Sequence, residues 1–478
     1  VRNRTIASIF ILLLLCGFNS VSFAACPEGS AAETAVKAWL PNTPELDYRQ
    51  KPAPHPAPDC PFYMNAWQTF LWVTKQDSDQ RAAFLSYPNI PALFEHQSVS
   101  TKTLMLAPRS IQFPNDASSI QLKGILSNFS GPAASIDAGI EQAGNAAILF
   151  DQLGYPIYYG IHVNEAFAAF VQQNKLTDKN AIQNADSALA FPQGVVELKS
   201  AWRVLTDQSQ LGNYITTDAD VPVLHVANSR IEIDKVAPPR KLTLGLVALH
   251  IVFTIKDHPE FIWSTFEHTD LTGATDLGPS ASVNPDDNGS GPTNAISPYN
   301  YLLYHGGELG TTANNAPSFS QQAAAFNEVT QRLDKGGSLP TSVYRGYPAA
   351  KAATTVPDDD LSDLDAFMLG LFRAGALPAN DMRQHYRLVG ATWLDKPDVT
   401  FQLNRAFHNE PGQSSDDGIV AGEDALSSLA MESFTQIDSP NCFSCHDTRR
   451  VKDVTGNVLL NEKLFNVSHV YSKFVSEH

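Results

Sequence analysis

Three residues near the C-terminus stand at a spacing that invites chemistry. Within "DSPNCFSCHDTRR", Asp438 to Arg450, Cys442 and Cys445 are three apart and His446 follows directly. Three residues make about one helical turn, so the two thiols fall on one side with an imidazole beside them. Several chemistries use such groups. A zinc site takes Cys and His ligands but wants two more at suitable spacing, and the chain has no second C-x-x-C. A thioredoxin-like dithiol follows a strand and opens a helix in a βαβ unit, whereas the preceding "MESFTQIDSPN" reads as helix, then turn. A plain disulfide between residues three apart closes a very small loop and constrains little.

Other candidate residues lie upstream. Met431, eleven residues before Cys442, sits with Leu426, Leu429 and Phe434 on an expected amphipathic helix, "EDALSSLAMESFTQ". A methionine in such a stripe is either a core residue or a soft ligand carried toward the motif by a short turn. His250 interrupts the apolar "LGLVALHIVFTI", and a buried imidazole needs a hydrogen-bond partner. His268 is flanked by Glu267 and Asp270, with Trp263 and Phe266 nearby. A carboxylate beside an imidazole sets its tautomer at a metal or haem site, and forms a simple salt bridge in a loop. His469, in "FNVSHVYSKF", follows the motif and can reach back to it or lie at the surface.

The elements that must position these residues are mixed. Ser30 and Glu33 form a capping box for a helix ending before Pro41, and Pro61 opens another with Met64, Trp67, Phe70 and Leu71 on one face. Asn164 caps "EAFAAFVQQN", Ser318 caps a run that stops at Gly336, and "LSDLDAFMLGLFRAGAL" is a further helix. Strand-like runs are "AAILFDQLGYPIYYGIHV" as a hairpin, "GVVELKSAWRVL", "RIEIDKVAPPRKLTLGLVALHIVFTI" and "QHYRLVGATWL". The order lacks a steady βαβ beat, so the expectation is α+β: an antiparallel sheet core, surrounding helices and a mainly helical C-terminal segment. Gly, Pro, Asn and Asp mark loops over 271–298, 336–360 and 408–424. The last of these divides a large region, 25–417, from a C-terminal segment, 418–478, packed on it.

The N-terminus places the chain in a compartment. Arg2 and Arg4 precede the uncharged "IASIFILLLLCGF", and "NSVSFAAC" supplies small residues, so residues 1–24 read as a secretory signal peptide cut after Ala24. Valine in first place suits a literally translated bacterial GTG start, and the expectation is a periplasmic protein of a Gram-negative bacterium. No later run is long and apolar enough to span a membrane. "FAAC" also approaches a lipoprotein signal, which would place a lipid anchor on Cys26. The preferred reading is a Cys26–Cys60 disulfide, allowed in an oxidising compartment and contributing about 3–4 kcal/mol on the chain-entropy model. The net charge is −17, and −19 without residues 1–24. That acidity argues against nucleic acid and anionic membrane surfaces, and suits a partner with a basic surface.

Cys442, Cys445 and His446, joined to an export signal, resemble the attachment motif of c-type cytochromes, C-x-x-C-H. The resemblance implies one haem c, held by two thioethers, with His446 as the proximal iron ligand. It is local and leaves most of the chain unexplained. Small soluble cytochromes c carry the motif early and an axial methionine later; here only 32 residues follow His446 and none is methionine. Upstream chain must therefore cover the haem, with Met431 the nearest candidate distal ligand and His469, His250 and His268 the alternatives. The implied function is electron transfer by a monohaem cytochrome rather than a defined catalysis. The alternatives are a haem-dependent oxidoreductase or peroxidase with an open iron site, and a binding module with an incidental haem.

Intact-mass measurement of the exported chain should show an N-terminus at Ala25, one added haem and two hydrogens missing at Cys26 and Cys60. A diacylglycerol-sized increment on Cys26 would instead establish a lipid anchor.

Overall fold

The computed structural model describes residues 59–76, 81–89, 93–94, 148–234, 236–269, 280, 293–334, 340–346, 359–375, 380–395, 397–407, 419–423, 426–436, 441–452 and 456–477. Along these residues come α1 (Cys60–Val73), β1 (Tyr158–Val163), α2 (Glu165–Gln173), α3 (Lys179–Asn184), β2 (Val196–Val204) and β3 (Thr216–Val221). There follow β4 (Leu224–Ala227), β5 (Arg230–Ile233), β6 (Arg240–Ile255), β7 (His258–His268), α4 (Phe319–Ala325), β8 (Phe326–Asn327) and β9 (Arg332–Leu333). The chain ends with α5 (Asp359–Arg373), β10 (Tyr386–Leu394), α6 (Pro397–Thr400), β11 (Val420–Gly422), β12 (Val451–Lys452), β13 (Val458–Leu460) and α7 (Val470–Glu477). No helix among the described residues is long and apolar enough to cross a membrane.

The core is a seven-stranded sheet in the order β1-β2-β6-β7-β10-β11, with β3 also paired to β6. Every pairing in it is antiparallel, as the α+β expectation requires. One face is mainly apolar, with Ser200 and Ser264 buried on it and bonded to backbone carbonyls. Val196 and Leu198 of β2, Leu249, Ile251 and Phe253 of β6, and Ile262 and Phe266 of β7 pack there against α1 and α5. Helix α1 forms where Pro61 sits in the first turn, a position that needs no donor, and buries Met64, Trp67, Phe70 and Leu71. Phe70 stacks on Phe266 with ring centroids 4.2 Å apart. Trp67 Nε1 donates to Asp365 Oδ1 of α5 at 2.9 Å, and the same oxygen accepts from Leu388 N of β10 at 3.2 Å.

The opposite face is apolar only at its two ends. One end carries Val163, Val252 and Trp263, the other Tyr159, Ala201 and Ala248. Between them the register sets Lys199 of β2 opposite His250 of β6, and His250 opposite Thr265 of β7. Glu197 shares the face with Lys199, since residues two apart on a strand point the same way. The C-terminal segment covers this face.

That segment is not mainly helical, and it is not separate from the sheet. Val420–Gly422 form the edge strand β11 on β10, so residues on both sides of the expected boundary build one sheet. A Cβ on Gly390 would come within 2.6 Å of Glu423 Cγ and 2.9 Å of Leu426 Cδ1, so the missing side chain lets the segment approach β10. Beyond it come a turn at Cys442–Ser444, the ribbon β12–β13, a turn at Leu464–Val467 and α7.

Two expected helices also differ. "LSSLAMESFTQ" winds into turns rather than a helix. Carboxylates take its backbone donors: Ser428 N donates to Glu432 Oε2 at 2.7 Å, and Leu429 N to Glu267 Oε1 of β7 at 2.9 Å. Ser318 does form a capping box with Gln321, but α4 ends at Ala325. Past it the chain turns back as β8–β9, and Gln331 Nε2 and Oε1 bond both backbone groups of Leu224. The Asn164 cap forms, accepting from Phe167 N at 3.0 Å. The Ser30 helix and most of the three expected loops lie outside the described residues. Cys60 is fully buried, and its expected partner Cys26 also lies outside them.

Candidate functional site

The C-x-x-C-H turn is built locally. Asn441 N donates to Ser444 Oγ at 3.4 Å across the turn Cys442–Ser444. Cys445 N and His446 N both donate to Cys442 O, at 3.2 and 3.0 Å. Side chains three apart nearly eclipse in so tight a turn, which puts the Cys442 and Cys445 thiols on one side. Both are half-buried and neither is disulfide-bonded. Burial first, and then the nearby Glu432 and Cys445, push the Cys442 thiol far up, so it stays protonated. Phe443 points the other way, fully buried edge-on to Trp263 and Phe407, and anchors the turn.

His446 is held on three sides. Its Nδ1 lies 2.8 Å from the Val467 carbonyl oxygen. A carbonyl only accepts, so Nδ1 carries the proton and Nε2 keeps its lone pair. The ring packs on Trp263 of β7 at 4.1 Å and on His469 at 3.9 Å between centroids. His469 Nε2 donates in turn to the Cys445 carbonyl at 3.2 Å. Burial, and then the neighbouring His469, hold His446 well below the usual imidazole range, which keeps it neutral.

The polar strip of the sheet belongs to the same site. His250 has both ring nitrogens engaged, Nδ1 with Thr265 Oγ1 and Nε2 with Glu432 Oε1, each at 2.9 Å. Burial raises the Glu432 carboxyl, but His250 and Lys199 outweigh it and hold the group below its ordinary value. Burial also lowers the Lys199 ammonium, against the pull of Glu432 and both thiols. Glu197 Oε2 accepts from Ser468 Oγ at 2.7 Å, and burial pushes its carboxyl up to about 7.

The structure thus brings His250 and His469 to Cys442, Cys445 and His446. Met431 is buried among Leu429, Ala430, Phe434, Tyr159 and Ala248, beside the strip, while its neighbour Glu432 bonds into it. Glu267 and His268 do not form the expected pair. Adjacent residues on a strand face opposite sides: Glu267 pairs with the buried Arg345, and His268 Nε2 meets the Asn213 carbonyl at 3.0 Å with its ring stacked on Tyr214. Glu197, Lys199, Glu432 and Val467 escape a reading of the sequence. In "VELKSAW" the two charges alternate with apolar residues and look like an ordinary solvent-facing row. A backbone acceptor such as Val467 O leaves no trace in residue type.

The residues present fit a covalently attached haem. Two half-buried thiols stand three residues apart, the second imidazole nitrogen of His446 is unprotonated, and the buried Trp263 Nε1–H against His446 has no hydrogen-bond partner. A bound group with acceptor atoms would give that donor one. Among the described residues no three His, Cys, Asp or Glu side chains converge as a metal-ion cage. Comparison with known protein families, curated proteins and solved structures finds no match.

A double-mutant cycle between His250 and Glu432, each replaced by Ala, should give a coupling of about 0.5–3 kcal/mol in chemical denaturation. Each single change should cost about 1–3 kcal/mol, since it leaves a half-buried group without its partner. A coupling near zero would remove the pair from the account.

Proposed function

We propose that the chain is an exported monohaem c-type cytochrome of the periplasm that carries electrons to or from a partner with a basic surface. The observation that carries this reading is the tautomer of His446. Val467 O holds the Nδ1 proton, which leaves Nε2 unprotonated and able to ligate iron. Haem c supplies a one-electron iron couple when bound. Around it the chain's own residues have defined tasks: Cys442 and Cys445 attach, His446 ligates, and Trp263 and Phe443 wall the site from water. Met431 is the candidate distal ligand; it lies buried among Leu429, Ala430 and Phe434, next in sequence to Glu432, so ligation would require its side chain to leave that cluster. The acidic balance of the chain favours a basic partner by long-range attraction.

A second reading is an oxidoreductase or peroxidase with an open iron site. It is favoured by one feature, the half-buried His250–Glu432 pair with Lys199 beside it, a set of groups able to move a proton next to the motif.

Haem staining after denaturing electrophoresis should mark the chain made with a working cytochrome c maturation system, and acid–acetone should not extract the porphyrin. Cys442→Ala/Cys445→Ala should lose the stain; an unstained wild-type chain rejects the reading. A low-spin ferric EPR spectrum with the far-red charge-transfer band of a His/Met pair, lost in Met431→Ala, supports the carrier with Met431 as ligand. A low-spin bis-imidazole spectrum moves the distal ligand to a histidine. A high-spin ferric iron selects the open-site enzyme.

A further inference from the structure

Three consecutive residues, Val467, Ser468 and His469, each hold a different part of the structure. Val467 O fixes the His446 proton at 2.8 Å, and His469 stacks on the His446 ring while its Nε2 donates to Cys445 O. Ser468 Oγ does neither; it donates to Glu197 Oε2 on β2 at 2.7 Å. The same hydroxyl lies 3.4 Å from Val470 N at the start of α7. The clamp on the imidazole is therefore tied to the sheet by one carboxylate, and Ser468 is almost fully enclosed, at 1% exposure.

We propose that Glu197 is a positioning residue for His446, anchoring the Val467–His469 clamp through Ser468 and making the iron's potential depend on pH through its own charge. This rests on the haem reading above. The groups around Glu197 leave it as the switchable charge. Its cross-strand neighbours, Val163 on β1 and Val252 on β6, are apolar. Lys199, two residues along β2, faces Glu432 and, across the register, His250. On α7 the neighbouring ionisable group is the Tyr471 phenol, which burial pushes far up and keeps neutral. Burial places the Glu197 titration at about 7, with Ser468 and Lys199 pulling against it.

The sign follows from charge. Ionised Glu197 favours the ferric, more positive state, so the midpoint potential falls as pH rises through the titration and levels off on either side. Spectroelectrochemical titration of the haem-loaded full chain between pH 5 and pH 9 reads this directly. The wild type should show the fall centred near pH 7. Glu197→Gln keeps an acceptor for Ser468 but no charge, so its potential should be flat while its ferric EPR spectrum stays that of wild type. Glu197→Ala removes the anchor as well, and should alter both. If the Ala variant does not fold, the Gln variant alone decides. A haem-loaded wild type with a flat profile, or a Gln variant that keeps the full fall, overturns the inference and leaves the haem reading standing. A wild-type chain that takes no haem overturns both.

Discussion

Side-chain alternation along β2, β6 and β7 is the constraint on which the rest depends. A strand presents every second residue to one face. The register therefore gathers Glu197, Lys199, His250 and Thr265 on the side opposite Val196, Leu198, Ile251 and Phe266. A slip of one residue would exchange the two sets and bury four polar side chains against α1 and α5. The apolar face, locked by Trp67, Phe70 and Phe266, prevents that slip. Core packing on one side of the sheet thus determines where polar chemistry appears on the other.

A polar strip inside a protein costs free energy unless its groups find partners. The C-terminal segment provides them. Glu432 bonds His250, Ser468 bonds Glu197, and Leu429 N bonds Glu267, which is itself paired to Arg345. The last of these takes a backbone donor of the segment away from helical pairing, and the stretch around Met431 turns instead of coiling. These bonds also carry Cys442, Cys445 and His446 onto the sheet.

His446 joins both layers. Trp263 of β7 packs on one side of the imidazole, and the Val467–His469 segment holds it from the other. A ring so confined keeps one tautomer. The price in acid is a neutral imidazole that must be charged when the chain unfolds: because burial depresses its folded pKa, stability falls as pH drops below the ordinary histidine range.

Some of this was legible in residue order alone. Cys442, Cys445 and His446 are local, three and one apart, so their grouping is read from spacing without knowledge of the fold. The α1 stripe, the Asn164 cap and the strands around His250 were equally readable, because each depends on near neighbours in the chain. Only tertiary structure decided the rest. Glu197 is 271 residues from Ser468, and His250 is 182 from Glu432, so no periodicity can pair them. The helix expected around Met431 loses backbone donors to Glu267 of β7 and to its own Glu432, and Glu267 and His268, neighbours in sequence, are parted by the pleat of β7. Local propensity acts over a few residues, whereas burial of a polar group is settled by whatever the fold brings to meet it.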